Sequence, residues 1–402
     1  MPHPIIWLIL YIPFGALNGF IAVALTYLAT ENGLSITEGA LIVGSQLLFN
    51  WLKWIWAPLV DITLSPKRWY LLAISGSALG VFTLSAISLG KETLNLFLVL
   101  IALATFINTI VGMSVEAMIA SLTPVDQIGR VSAWFQSGNL GGIGLGGGLG
   151  LFLMQHLSQP WMSGAVIGAL FLVCCLALIP LPHIKPYATK TTSVKAMKQV
   201  MSGFGTMIKQ PMGMLTAILC LLPVATGTAQ STLTQAAVAK YWGAAIEHVE
   251  LVQGLLSGVI TMLGCFLGGW ICNLIDAHRA YCSFGILLAI ISMIMALSPN
   301  TVTMYVVWNM IYALAVGLSY AAFTSMVLLV VGTNPAATGY NVYASLTNFP
   351  IWWLGLLLGW VADKYGPRCM LVTEALLGLF GVMVFLTIYG KKQENSVVSV
   401  LK

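Results

Sequence analysis

Residues 46–68 read QLLFNWLKWIWAPLVDITLSPKR, and this stretch decides the fold. It opens as an apolar helix, yet Gln46, Asn50 and Lys53 fall at i, i+4 and i+7, which stacks them on one helical face. Trp54, Trp56 and Pro58 follow, then Asp61, and the chain emerges into Lys67 and Arg68. No water satisfies a polar group on a lipid-facing surface, so such a stripe is aimed at neighbouring helices or at a cavity. A lysine set among tryptophans therefore requires a partner at its own depth.

The same apolar quality extends in both directions. Apolar residues make up 59% of the 402-residue chain and charged ones 7%, against roughly 25% charged in soluble domains. Runs of about 20 apolar residues, each enough to cross a bilayer core, recur from end to end. The expectation is an all-α polytopic membrane protein with twelve transmembrane helices in two six-helix halves. The spans fall near 5–30, 38–60, 69–89, 94–121, 131–154 and 160–181, then 211–239, 247–272, 280–297, 301–331, 339–361 and 369–390. Residues 1–181 form the first bundle and 211–402 the second, which ends in a short tail. Between them 182–210 is a polar linker carrying Lys185, Lys190, Lys195, Lys198 and Lys209. MPHPIIWLIL at the start has neither a basic n-region nor an A-x-A-like cleavage site, and reads as a retained first span.

Charge placement gives the orientation. With the N-terminus inside, twelve Lys and Arg fall in inner connections and four (Lys91, Lys240, Lys364, Arg368) in outer ones. Both termini and the linker are thus expected in the cytoplasm, with the chain in the inner (plasma) membrane. The net charge of +5 is scattered among these topology signals rather than gathered in an arm, which argues against nucleic acid. The seven cysteines include no C-x-x-C pair, so neither a zinc site nor a disulfide framework is indicated. His156 and His183 have no ligand-spaced partner, His278 flanks Arg279, and no metal or cofactor is expected. GIGLGG at 142–147 fits G-x-G-x-x-G literally but has no strand before it, and helix close-packing explains it.

The halves carry a weak internal likeness. Aligning Asn139 of span 5 with Asn348 of span 11 brings Gly150 onto Gly359, and Asp61 and Arg68 after span 2 are mirrored by Asp276 and Arg279 after span 8.

KWIWAPLVD (53–61), EAMIASLTPVDQIGR (116–130), ATGYNVYASLTNFP (337–350) and GWVADKYGPR (359–368) resemble the major facilitator superfamily. More narrowly they are similar to its anhydromuropeptide permease and acetyl-coenzyme A transporter branch, whose patterns bacterial siderophore permeases of that type share. Two departures stand out: DITLSPKR after span 2 lacks the superfamily's glycine, and Gly112 stands where the branch often has a second acid. The resemblance implies secondary transport by alternating access, with spans 1, 4, 7 and 10 lining the cavity.

Depth supplies Lys53 with its partner. At 1.5 Å per residue, Lys53 sits about 10 Å from the inner end of span 2 and Glu116 about 9 Å from that of span 4. The coupling and gating set is Lys53, Glu116, Asp61 and Arg130, with proton coupling through Glu116. Substrate-binding candidates are the polar groups of the other spans: Tyr11 and Asn18 in span 1, Gln46 and Asn50 in span 2, Asn108 in span 4, Gln136 and Asn139 in span 5. Span 7 adds Thr226, Gln230 and Thr234 on an i, i+4, i+8 line near Pro223 and Gly227, and span 8 adds Gln253. Spans 10 and 11 add Asn309, Tyr312, Tyr320, Tyr340, Asn341, Tyr343 and Asn348. Glu374, five residues into span 12, is expected to reach the outer interface.

A lining of amides, hydroxyls and rings suits a medium-sized polar or amphiphilic solute, muropeptide-like or siderophore-like. A small inorganic anion would call for an arginine inside a span, and there is none. The expected partners are the lipid bilayer, the small-molecule substrate and protons, with the protein acting as a monomer. There is no Walker A sequence and no His/Asp/Glu cluster for catalysis, so direct ATP drive and an enzyme are both disfavoured. The competing reading is a non-transporting sensor or assembly factor built on a transporter fold.

Overall fold

Pro58 breaks span 2. A proline has no N–H to donate and its ring clashes with the carbonyl four residues back, here that of Trp54. The helix Ile36–Leu52 accordingly tightens to a 3-10 turn at Lys53–Ile55 and resumes as Ala57–Ile62. The computed structural model describes residues 3–34, 36–185, 193–332 and 335–400, and among these every regular element is helical. Lys190 and Lys402, two of the expected inner charges, lie outside the described residues.

Among the described residues, eight helices are long and apolar enough to cross a membrane by themselves: Ile5–Ala29, Pro66–Ala86, Leu94–Leu122, Pro160–Leu178, Ala277–Leu297, Val302–Val331, Ala336–Tyr365 and Pro367–Ile388. These are spans 1, 3, 4, 6, 9, 10, 11 and 12. The other four are interrupted or diluted, for visible reasons. Span 2 is broken at Pro58. Span 5 is one helix, Ile128–His156, in which glycines and polar side chains dilute the apolar run. Span 8 is divided at Gly254 into Ile246–Gln253 and Leu255–Cys272.

Span 7 departs most from expectation. It runs as a helix over Pro211–Leu221, unwinds, and resumes at Ala229–Leu233 and Ala236–Ala239. Pro223 sits in the unwound part, where Ala225 (φ 53°) and Gly227 (φ +64°) both adopt left-handed conformations. A left-handed alanine carries a Cβ penalty that surrounding structure must hold in place. Thr226 therefore lies outside any helix, and the i, i+4, i+8 line through Gln230 and Thr234 does not exist as a helical face. The break packs into smooth surface: Cβ atoms built on Gly285 of span 9 and Gly381 of span 12 would come within 2.7 and 2.9 Å of Val224 side-chain atoms.

The glycines of span 5 form a packing seam. A Cβ on Gly138 or Gly142 would lie 2.5 and 2.6 Å from the carbonyl oxygens of Leu8 and Ile12, and one on Gly146 would collide with that of Ala16. Gly15 and Gly19 of span 1 meet Asn139 and Ile143 the same way. On its other side span 5 brings Gly144 against Gly258 of span 8. Small residues are what let two membrane helices approach backbone to backbone.

Burial follows the pattern of a membrane protein. Leu72, Leu79, Leu103 and Val173 are exposed on the outside, whereas Asn108, Glu116 and Asn341 are buried within. The expected linker is not merely a loop, since Ser193–Lys209 forms a helix that meets Pro211–Leu221 at 86°. Ala196, Val200 and Met207 form its buried face, while Lys195, Lys198 and Lys209 are exposed. It packs on the last turn of span 2 and the first turns of spans 7 and 11, which marks this end of the bundle, called the linker end below. At the same end Asp276 caps span 9, accepting from the backbone N–H groups of His278 (3.0 Å) and Arg279 (3.1 Å). The His278 side chain, and then these amides, hold the Asp276 carboxyl below its ordinary range.

Candidate functional site

Because span 2 breaks where it does, Lys53 leaves the helical stripe and turns toward span 4. Its Nζ lies 3.4 Å from Glu116 Oε1, and Lys53 is 6% and Glu116 1% exposed. Trp56 fixes the turn: its indole N–H donates to Thr109 Oγ1 (3.0 Å) and its ring packs on Phe106 and Phe49. The depth match drawn from the sequence thus corresponds to an ion pair between spans 2 and 4.

The pair is the centre of a wider network. The Tyr11 hydroxyl of span 1 donates to Glu116 Oε1 at 2.8 Å, and Asn341 Nδ2 of span 11 donates to Oε2 at 2.7 Å. Both carboxylate oxygens are therefore engaged, one of them from the second half of the chain. A buried charge is stable only with its partners in place, and neutral donors around an ion pair lower its desolvation cost. Phe135 of span 5 bridges the rings of Tyr11 (centroids 4.0 Å apart) and Tyr340 (6.0 Å). The network continues through Gln136 Nε2 to Thr324 Oγ1 (2.6 Å), with Tyr340 Oη 3.0 Å from the same hydroxyl and Asn139 donating to Gln136 Oε1 (3.0 Å). Spans 1, 2, 4, 5, 10 and 11 all contribute.

Closer to the linker end lies a second bridge. Asp61, 6% exposed, accepts the backbone N–H groups of Ala337 (3.0 Å) and Thr338 (2.8 Å) and the Thr338 hydroxyl (2.7 Å). The last turn of span 2 is thereby clasped to the first turn of span 11. Its proposed mirror, Asp276, caps its own helix instead, so the likeness between the two positions does not extend to their contacts. Further out, Trp51 stacks on Trp352 (6.4 Å between centroids), and Asn348 Nδ2 donates to the Asn50 carbonyl (3.3 Å).

The remaining candidates divide by environment. Arg130 is exposed and forms no ion pair among the described residues, so it stands apart from Asp61 and Glu116. Asn108 donates to the Phe14 carbonyl (2.9 Å) and accepts from Ser77 (3.4 Å), which ties spans 1, 3 and 4 together rather than facing a cavity. Tyr343 donates to the Gly213 carbonyl (3.0 Å). Asn50 donates to the Gln46 carbonyl (3.3 Å) within its own helix, and Thr234, just past the end of Ala229–Leu233, to the Gln230 carbonyl (3.0 Å). Gln230 and Tyr320 are half-buried. The Gln253 side chain lies outside what the structure describes. Asn18 Oδ1, Gln46 Oε1 and Asn309 Oδ1 are buried without a hydrogen-bond partner. Such atoms are uncommon in a finished interior and mark places where a water or a solute group would be bound. A cavity of about 140 Å³ lies at the linker end, lined by Asp126, Gly129, Cys272, Asn273 and Ser325 among others, away from these groups.

Sequence reasoning missed three participants. Thr324 and Thr338 gave no signal, being ordinary hydroxyls in apolar runs. Glu374 was expected at the interface, and the structure buries it to 7% exposure. Its oxygens accept from Ala229 N–H (2.8 Å), Tyr312 O–H (2.7 Å) and Ser292 O–H (3.0 Å). A five-residue depth is too shallow for this only if span 7 is a continuous helix. Unwinding presents a free backbone N–H at that depth and draws the carboxylate inward.

A family model described as Major Facilitator Superfamily matches residues 7–353. Among solved structures, the human organic anion transporter MFSD10 (TETRAN) superimposes with a TM-score of 0.70 at 15% identity, covering 96% of this chain and 100% of that one. The E. coli fucose:proton symporter FucP gives 0.70 at 14% identity over 95% and 97% of the two chains. A structure of FucP in the outward conformation gives 0.71 at 15% identity over 96% and 98%. At such identities the likeness is one of fold.

Proposed function

The chain belongs to the Major Facilitator Superfamily, a family of secondary transporters, and from that premise we propose a proton-coupled symporter of the inner membrane that works by alternating access. Residues 1–181 and 211–402 are its two six-helix halves, and 182–210 links them. The linker end and both termini face the cytoplasm, in keeping with the excess of Lys and Arg in those connections. The protein works as a monomer, and its substrate is a medium-sized polar or amphiphilic solute. Muropeptide-like and siderophore-like compounds suit the unpartnered amide oxygens of Asn18, Gln46 and Asn309 and the surrounding rings, and they are what the anhydromuropeptide permease branch would carry.

One observation carries this reading: the buried charges of the first half are bonded directly to the second. Glu116 holds Lys53 within its own half and Asn341 across the divide, while Asp61 clasps Ala337 and Thr338. An ion pair that served packing alone would have no need of a partner in the opposing half. Protonation of Glu116, or arrival of substrate, weakens its hold on Lys53 and Asn341 together, and the cytoplasmic gate loosens.

Flux in proteoliposomes tests the proposal. Under an inward proton gradient, either an anhydromuropeptide or a ferric siderophore is expected to accumulate, and Glu116→Gln is expected to reduce accumulation by at least about tenfold, the consequence of some 1.4 kcal/mol lost at the coupling step. No accumulation of either solute by folded wild-type protein would favour the sensor reading. Accumulation that Glu116→Gln leaves unchanged would remove Glu116 from coupling.

A further inference from the structure

We propose that Glu374 is a second proton-binding site, in the half of the protein opposite Glu116, seated against the break in span 7. The inference rests on the transport reading for its purpose, but its physical argument stands apart from it.

Glu374 lies seven residues after Pro367, about 10 Å into span 12 at 1.5 Å per residue. That places it toward the end of the bundle opposite the linker helix. It is more than nine-tenths buried. Glu116, equally buried, has Lys53; among the described residues no Lys, Arg or His forms an ion pair with Glu374. Its donors are all neutral: the Ala229 N–H, the Tyr312 O–H and the Ser292 O–H, with the Thr228 backbone N–H beside them. A carboxylate so placed carries a full charge into a dry interior with no counter-charge, and binding a proton is the direct way to neutralise it.

The hydrogen bonds also show where the proton goes. Oε1 accepts from the Ala229 amide, which can only donate, and from Tyr312, so Oε1 remains an acceptor in either state. Oε2 faces Ser292, whose hydroxyl can accept as well as donate. Protonation on Oε2 therefore reverses the Ser292 hydrogen bond and keeps the Ala229 and Tyr312 bonds to Oε1: the acid O–H donates to Ser292 Oγ, and the carboxylate's negative charge is cancelled.

The setting is polar beyond these contacts. Thr228 Oγ1, next to Ala229, and Asn309 Oδ1, one turn before Tyr312 on span 10, are buried without partners. Other titratable groups on the packed elements are Tyr281 of span 9, whose hydroxyl donates to the Val224 carbonyl (2.7 Å), Cys282 of span 9, Tyr305 and Tyr320 of span 10 and Cys220 of span 7. The cations on these elements lie elsewhere: His278 and Arg279 sit at the linker end of span 9, about 20 Å along the helix from Ser292, and exposed Arg368 of span 12 donates to the Ser298 carbonyl (2.9 Å) and to Asn300 (2.8 Å). Since the Ala229 amide is the first of the resumed helix and Tyr281 holds the break from the other side, the charge on Glu374 acts directly on the unwound segment.

Infrared difference spectroscopy of the purified full-length protein in lipid, titrated with pH, tests this without any substrate. The expected result is a carboxylic-acid carbonyl band of a water-poor site that grows as pH falls. It should be lost in Glu374→Gln, kept in Glu116→Gln, and displaced in Ser292→Ala, where the acid O–H loses its acceptor. Should Glu374→Gln fail to fold, the displacement in Ser292→Ala decides. Absence of the band over the range where wild type stays folded, its survival in Glu374→Gln, or an unmoved band in Ser292→Ala each overturns the assignment. Flux separates the two claims: a well-behaved band without transport leaves the site standing and refutes the transporter reading, and transport without the band does the reverse.

Discussion

Replacing Lys53 with methionine is expected to destabilise the protein by about 3–5 kcal/mol, the usual cost of leaving one member of a buried ion pair without the other. The stem of the side chain is nearly preserved, so packing against span 4 changes little. What is lost is the cation 3.4 Å from Glu116, while the carboxylate stays buried with only Tyr11 and Asn341 to satisfy it. The double variant Lys53→Met/Glu116→Gln removes both charges and keeps the acceptor for Tyr11. It is expected to be more stable than Lys53→Met alone, with a coupling energy of about 1–3 kcal/mol between the sites. Denaturant-induced unfolding in detergent measures all four corners of the cycle. Additive losses would mean that the pair contributes nothing as a pair.

The other large effect lies in the glycine seam. A valine at Gly146 would drive its Cβ into the backbone carbonyl of Ala16, and a backbone atom within a helix has no rotamer to yield. Overpacking a core ordinarily costs about 1–3 kcal/mol because side chains adjust; here spans 1 and 5 must separate along their length, and with them Gly138 and Gly142 lose their contacts. The expected outcome of Gly146→Val is loss of the monodisperse species in size-exclusion chromatography. Gly359→Ala, where a Cβ meets nothing within 4 Å, is the control and is expected to behave as wild type. A well-folded Gly146→Val protein would show that the seam is looser than its geometry.

Much of this architecture was legible in the chain because membrane insertion imposes strong, local rules. Span length, apolar content and the placement of Lys and Arg are one-dimensional signals, and they located the spans and the Lys53–Glu116 depth match without any contact information. The family membership also follows the motifs quoted around Lys53, Glu116 and Thr338, although the finer branch remains a proposal. Other features depended on three-dimensional facts. That Asp61 reaches Thr338 while Asp276 caps its own helix turns on where each helix starts relative to the opposing half. Pro223 and Gly227 signalled a weakness in span 7, but the length of the unwound segment is set by Ala225, Tyr281 and the smooth surfaces of Gly285 and Gly381. Glu374 was misjudged for the same reason: its depth alone suggested an interface, and its true partner is a backbone amide that exists only because span 7 unwinds. The amphipathic linker helix was hidden by its lysines, which lie on one face while Ala196, Val200 and Met207 occupy the other.

The claim on which the rest depends is that the linker end is held shut by contacts between the halves and opens when they are cut. Arg130 and Arg279 are both exposed at that end, on spans 5 and 9, and can carry spin labels in a background lacking the seven native cysteines. Asp61→Ala with Asn341→Ala removes the clasp and the bond to Glu116 from across the divide, leaving the Lys53–Glu116 pair intact. Pulsed electron–electron double resonance is expected to give one short distance population in the otherwise unaltered protein and a second, longer population in the double variant. A single unshifted distribution in both proteins would contradict the account.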